Sequence, residues 1–194
     1  MRSKMIIFLS IIAVSTATEV SAQTLNVAQQ GDKAVLFNFV GLSALNLNAY
    51  QGGIGGKYFI SNGMALRGML LFGLDNRTTS GTPQFTDNSL SIGIAAGLEY
   101  HLPLASQVSP YVGGQLSFLN TAETTNPGAN RTSSTTFGLG AIGGIEYFFN
   151  SNLSLSAEYQ FGVTSTQTSA SGAPDRSELK LGFQTAGLTM AAYF

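Results

Sequence analysis

Apolar residues recur at every second position along most of the chain. Leu90, Ile92, Ile94, Ala96, Leu98, Tyr100 and Leu102 share one parity, while Ser89, Ser91, Gly93, Ala95, Gly97, Glu99 and His101 share the other. Such alternation belongs to a strand whose two faces meet different surroundings. Seven same-face positions span roughly 40 Å at about 3.3 Å per residue. Strands of soluble sheets usually hold only ~5–6 residues.

The pattern returns in other segments. Leu66, Leu70, Phe72 and Leu74 oppose Arg67, Gly73 and Asp75; Phe137, Leu139, Ile145 and Tyr147 oppose Gly138, Gly140 and Glu146. Leu153, Leu155, Tyr159, Phe161 and Val163 oppose Ser154, Ser156, Glu158 and Gln160. Weaker versions run through Val35, Phe37 and Phe39, through Ile54, Tyr58 and Ile60, and through Val112, Leu116 and Phe118. Eight strands are predicted, over 34–42, 49–60, 64–75, 88–102, 110–120, 135–149, 153–164 and 179–194. In the last, Leu179, Leu181 and Phe183 have one parity and Ala186, Leu188, Met190 and Phe194 the other. A bulge near Thr185 reconciles them; otherwise 179–184 belongs to the preceding loop.

The connections alternate as well. Ser61-Asn62-Gly63 and Asn150-Ser151-Asn152 read as tight turns. Segments 76–87, 121–134 and 165–178 are rich in Ser, Thr, Asn and Gly and read as long loops, whereas the first connection, 43–48, is short. Tight turns at one end and long loops at the other suit an up-and-down barrel in a membrane, with both termini on the tight-turn side. Aromatics sort by height: Tyr58, Tyr100, Tyr147 and Phe194 toward the tight turns, and Phe39, Phe72, Phe118, Phe137 and Phe161 toward the other end. Two aromatic rings of this kind mark the two interfaces of a bilayer.

Charge decides between a membrane and water. Lys57, Arg67, Glu99, Glu146 and Glu158 come from five different segments, and each lies opposite its segment's apolar row. A solvated face would carry charge at about a quarter to a third of its positions. Here the polar faces hold mostly Gly, Ala, Ser and Gln, which suits a confined interior, and the apolar faces suit lipid. The composition agrees: charged residues are 10% of the chain, against roughly 25% in soluble domains. With 9 Lys and Arg against 10 Asp and Glu, no basic excess exists to hold nucleic acid. The absence of Cys excludes disulfides and thiolate metal sites.

The first residues read as an export signal. Arg2 and Lys4 precede an apolar run from Met5 to Val14, and small residues follow at Ser21 and Ala22. Cleavage after Ala22 is expected. Residues 1–22 are then the signal peptide, 23–33 a short periplasmic segment and 34–194 the barrel domain. Loss of Arg2, Lys4 and Glu19 with the signal takes the net charge from −1 to −2. The apolar run is too short for a spanning helix, which needs about 20 residues.

The hairpins GGIGGKYFISNGMALRGMLLFG (52–73), GLEYHLPLASQVSPYVGG (97–114) and GIEYFFNSNLSLSAEYQFG (144–162) resemble those of small bacterial outer-membrane β-barrel proteins, the class of the OmpA transmembrane domain and OmpX. The terminal Phe194, within MAAYF, is similar to the signal that the barrel-assembly machinery reads in that class. The resemblance covers residues 33–194. It implies an eight-stranded antiparallel transmembrane barrel, outer-membrane lipid and lipopolysaccharide as surroundings, and assembly through that machinery. No peptidoglycan-binding domain of the OmpA kind is expected.

The candidate chemistry lies inside the barrel. Lys57, Arg67, Glu99, Glu146 and Glu158 are expected to form an interior network, since an unpaired charge is costly to bury. Arg67 is the natural hub, because its planar fork can hold two carboxylates. By height, Glu158 is its expected partner, and Lys57 lies nearer Glu99 and Glu146. Inner glycines (53, 55, 93, 97, 113, 138, 140 and 144) are expected to leave water-filled space beside the charges. His101, the single histidine, is expected at the periplasmic rim, pointing into the lumen. A lipid-modifying enzyme would need its site near the outer leaflet instead. No cofactor, metal or nucleotide site is expected; GGIGG at 52–56 lies within a strand with no helix after it.

The sequence thus predicts a non-enzymatic, monomeric outer-membrane barrel with a structural or surface-interaction role and long polar extracellular loops. A narrow pore through the polar interior, a lipid-modifying barrel and a soluble exported all-β domain are the other readings.

Overall fold

A computed structural model describes residues 29–40, 49–79, 85–102, 107–126 and 130–194. The expected signal peptide with its cleavage after Ala22, and the loop 43–48, lie outside the described residues. Eight antiparallel strands close in sequence order: β1 (Lys33–Val40), β2 (Ala49–Ser61), β3 (Met64–Thr79), β4 (Phe85–His101), β5 (Val108–Asn126), β6 (Asn130–Asn150), β7 (Leu153–Ala170) and β8 (Arg176–Tyr193). β1 closes the ring against β8, with Ala34 opposite Tyr193 and Phe37 opposite Met190. Closure removes the open edges that lipid cannot hydrogen-bond.

The parity of the sequence becomes the inside and outside of the wall. Leu70, Ile92, Ile94, Leu139 and Tyr159 point outward and are more than half exposed. On β6 the apolar row runs from Phe137 to Tyr147, about 33 Å along the strand. At a tilt of roughly 40° that gives about 25 Å of height, the apolar band of outer-membrane barrels. Tyr58, Tyr100 and Tyr147 rim its tight-turn edge; Phe118 pairs directly with Phe137 toward the other edge.

Asn62-Gly63 closes β2 onto β3, with Gly63 at a φ of +78° that favours glycine. Ser151 and Asn152 close β6 onto β7. On β8, the three steps from Phe183 to Ala186 stand against the two steps from Tyr159 to Phe161 on β7. The shift falls at the expected bulge, so the strand is continuous from Arg176.

The expected long loops are corrected. Most of 76–87, 121–134 and 165–178 is strand: β3 and β4 pair up to Thr79 and Phe85, β5 and β6 up to Thr125 and Asn130, and β6 and β7 up to Thr132 and Ala170. Above the band both faces of these hairpins are polar, so no apolar row betrays them. Threonine, which fits a pleated surface well, forms cross-strand pairs instead: Thr136 with Thr166 at 2.9 Å, Ser91 with Thr121 at 2.8 Å and Asn120 with Thr135 at 3.1 Å.

Candidate functional site

The interior is layered. At the tight-turn end Leu36, Phe59, Phe148 and Tyr193 pack with Ala34, Ala65 and Ala191 into a buried apolar plug. Phe148 and Tyr193 have ring centroids 5.7 Å apart, and Phe59 and Tyr193 6.4 Å. The inner face is therefore less uniformly polar than the sequence suggested. Phe59 and Phe148 stand beside outward aromatics and turn inward by parity.

Above the plug lies a charged layer. Lys57 on β2 is the direct ladder partner of Arg67 on β3, and Arg67 in turn faces Gly97 on β4. Glu99, further along β4, faces Ala65 and Gly113; Glu146 on β6 faces Ser109 and Ser156; Glu158 on β7 faces Gly144 and Gly187. Small ladder partners leave the long side chains free to reach across the lumen.

The charges meet there. Arg67 Nη1 and Nη2 donate to Glu158 at 2.5 and 2.9 Å, a two-point clamp, and Nη1 also donates to Glu99 Oε1 at 2.9 Å. Lys57 Nζ lies 2.9 Å from Glu99 Oε2 and 3.1 Å from Glu146 Oε2. Glu99 is wholly buried and bridges the two cations, while the other four charges are 8% exposed or less. Two cations thus face three carboxylates, and hydroxyls supply what the ion pairs leave. Tyr111 donates to Glu158 at 3.0 Å, and Tyr193 to Glu146 at 2.8 Å, with Ser154 also donating to Glu146. Gln115 accepts from Arg67 Nη2, and Gln160 donates to Glu158. Among the guanidinium nitrogens, Nε alone is buried without a partner.

His101 belongs to this layer. Nε2 is 3.2 Å from Glu99 Oε2 and Nδ1 is 3.1 Å from Ser109 Oγ. Its ring stacks on Tyr111 at 5.0 Å and tilts against Phe59 at 5.2 Å. Ser, His and Glu are thus in contact, but both ring nitrogens are engaged and the imidazole is 2% exposed. A general base needs reach to a substrate proton, and this one is enclosed. Lys57, 5.6 Å from the Tyr111 ring centroid, puts its ammonium between the carboxylates of Glu99 and Glu146. Among the described residues no group of three or more His, Asp or Glu is placed to hold a metal ion.

Sequence reasoning named the five charges and missed Tyr111, Tyr193, Ser154, Ser109 and Gln115 as partners. Their parity was the available sign, since each lies opposite an apolar row.

At five of the eight inner glycines the side chain across the ladder covers the glycine itself. Met69 faces Gly55, Leu71 faces Gly53, Leu119 faces Gly93, Ile142 faces Gly113 and Tyr111 faces Gly144. A methyl on Gly53 would lie 3.2 Å from Leu71 Cδ2, one on Gly93 2.8 Å from Leu119 Cδ1, and one on Gly144 2.6 Å from Tyr111 Cζ. Each bulky inner side chain lies down over the glycine across from it.

On the far side of the charged layer, toward the long hairpins, a cavity of about 310 Å³ remains. Arg67 and Gln115 form its floor. Met69, Leu71, Ala95 and Leu119 line one wall, and Asn38, Gln51, Gln160, Thr164 and Thr189 the other.

The architecture has solved counterparts. The outer membrane protein OprG from Pseudomonas aeruginosa is similar at 13% identity and a TM-score of 0.53, over 86% of this chain and 97% of that one. Outer membrane protein AlkL, solved in DMPC bilayers, is similar at 14% identity and a TM-score of 0.51, over 86% and 91%. Identities this low show the shared fold alone. Neisserial surface protein A aligns at 21% identity and a TM-score of 0.44, over 81% and 93%. No curated protein sequence matches the chain. The sequence profile of the outer membrane protein beta-barrel domain matches residues 6–194. The closed ring, the outward apolar band and this match agree: the chain belongs to the outer membrane protein beta-barrel family, whose place is the bacterial outer membrane.

Proposed function

We propose that this protein is a sealed, non-enzymatic outer-membrane barrel whose work is structural or surface-interacting, done by the protruding β3–β4, β5–β6 and β7–β8 hairpins. Barrels of this family serve structural, adhesion or small-molecule transport roles. The observation that carries the choice is the double closure of the lumen. Glu99 and Glu158 hold Arg67 across it, and the plug of Phe59, Phe148 and Tyr193 lies beneath. An ion would have to break buried pairs and then cross a dry aromatic layer.

The hairpins carry Thr, Ser and Asn on both faces, which suits hydrogen bonding to a polar partner at the cell surface. Outer-membrane lipid and lipopolysaccharide surround the apolar band. Phe194 is 76% exposed, and its backbone N–H donates to Lys33 O at 3.0 Å. We assign it as the mark read by the barrel-assembly machinery, and we take the working unit to be a monomer.

The test uses whole cells. Replacing 77–87, 123–131 and 167–177 by short turns should abolish binding to host or neighbouring-cell surfaces while heat-modifiable migration on a semi-native gel persists. Binding that survives the trimming would remove the surface role. Purified wild-type barrel should pass no current in a planar bilayer; steady conductance would favour the pore.

A further inference from the structure

The cavity above the charged layer has no part in closing the barrel, and its walls are unequal. Met69 and Leu71 of β3, Ala95 of β4 and Leu119 of β5 make one side mainly apolar, with the hydroxyls of Ser91 on β4 and Ser117 on β5 set among them, because these strands are neighbours in the ring. Met69 faces Ala95 directly in the β3–β4 ladder. Asn38 of β1, Gln160 and Thr164 of β7 and Thr189 of β8 form the opposite, polar side. Asn38 Nδ2 is held by Thr189 Oγ1 at 2.7 Å, so that wall is braced.

A lumen meant only to hold water gains nothing from an apolar wall. The wall is also built at some cost in sequence. Leu71 and Leu119 lie flat because Gly53 and Gly93 lack side chains beneath them. Any larger residue there would lift them into the space they bound. The volume, about 310 Å³, sits at the lower end of the ~300–1,000 Å³ usual for small-molecule pockets, which combine apolar lining with a few polar groups.

Charge narrows the ligand class. Arg67 is the sole charged residue among those lining the cavity, and its Nη atoms are already taken by Glu99, Glu158 and Gln115. The layer beneath carries more carboxylates than cations, so it opposes an anion. The polar wall presents amides and hydroxyls, with no carboxylate to receive a cation. We propose that this chamber is a binding site for an uncharged amphipathic small molecule, such as an alcohol with a short apolar tail. The tail would lie on Met69, Leu71 and Leu119, and its polar head against Gln160, Thr164 and Thr189. Access is from the long-hairpin end, where hydroxyls of Ser91, Thr121, Thr136 and Thr166 line the way; the plug closes the other side. The inference is independent of what the hairpins bind.

The experiment is methyl NMR of the full barrel in lipid nanodiscs, titrated with 1-hexanol, hexanoate and hexylammonium at neutral pH. Met69, Leu71 and Leu119 report the chamber, and outward Leu70 and Leu116 report alcohol dissolved in lipid. With 1-hexanol the inner methyls should shift and saturate while the outer ones drift without saturating. The two ions should leave the inner methyls in place. Ala95→Phe should abolish the inner shifts by filling the chamber, with Ser117→Leu as a second filler should the first fail to fold. Inner methyls that merely follow the outer ones, equal shifts with hexanoate, or shifts that persist in a folded filled variant would overturn the proposal.

Discussion

Lys57 and Arg67 stand directly opposite each other across the β2–β3 ladder, two cations on adjacent strands, and Glu99 gives one carboxylate oxygen to each at 2.9 Å. Like charges so placed repel, and burial strengthens the repulsion. The pair is tolerable only because Glu99 lies between them from the next strand and Glu146 and Glu158 receive their remaining donors. The network is therefore a unit, and its members should fail together.

Glu99→Gln leaves both cations facing each other without their shared counter-charge. Breaking a buried pair costs about 3–5 kcal/mol, so the urea midpoint in lipid vesicles should fall clearly, followed by the heat-modifiable gel shift. Adding Lys57→Met should restore part of the loss, because the repulsion goes with it. The effect should change little between low and high salt, since buried pairs are poorly screened. A midpoint that Glu99→Gln leaves unmoved would show that the carboxylate does not hold the cations.

Arg67→Met tests the other side of the unit. It strands Glu158, which receives two guanidinium bonds, and it should lower the unfolding temperature in detergent. Glu158→Gln on that background should recover more than Glu146→Gln, because Glu146 belongs to Lys57, Ser154 and Tyr193. Equal recovery by the two would mean that the Arg67–Glu158 pairing has no energetic counterpart.

The band and the charged layer were legible for one reason: each strand within the bilayer has an apolar side, so parity alone separates lipid from lumen. Lys57, Arg67, Glu99, Glu146 and Glu158 followed from that separation. The hairpin extensions did not, because Thr124, Ser133 and Thr168 meet polar surroundings on both faces and leave no period to read. Nor did the covering of glycines. A slip of two residues keeps every side chain on its face yet changes its partner, so parity cannot tell that Tyr111 faces Gly144. Only the ladder between β5 and β6 fixes that pairing.

Neighbouring glycines on β6 separate packing from backbone freedom. A methyl on Gly144 would lie 2.6 Å from Tyr111 Cζ and 2.6 Å from Ala157 O, whereas one on Gly143 would meet nothing within 4 Å. Gly144→Ala should destabilise by about 1–3 kcal/mol, as overpacking does. It should also weaken the Tyr111 bond to Glu158. Gly143→Ala, which points to lipid, should be neutral or slightly stabilising. Urea midpoints of the two variants check this, and equal values would mean that the glycines serve the backbone alone.

The plug and the charged layer are barriers in series, and their order makes a prediction about conduction. Phe148 is 4% exposed and packs on Tyr193, so Phe148→Ala opens a hole at the tight-turn end and should cost about 3–5 kcal/mol of stability. It leaves Lys57, Arg67, Glu99 and Glu158 untouched. The Arg67 clamp still crosses the lumen above the hole, and an ion entering from below meets a layer whose cations and carboxylates already hold one another. Phe148→Ala barrels should therefore unfold more readily and yet stay silent in a planar bilayer, the same outcome expected of the wild type. Steady current through Phe148→Ala alone would mean that the aromatic plug is the whole seal, and that the charges serve stability without blocking the path.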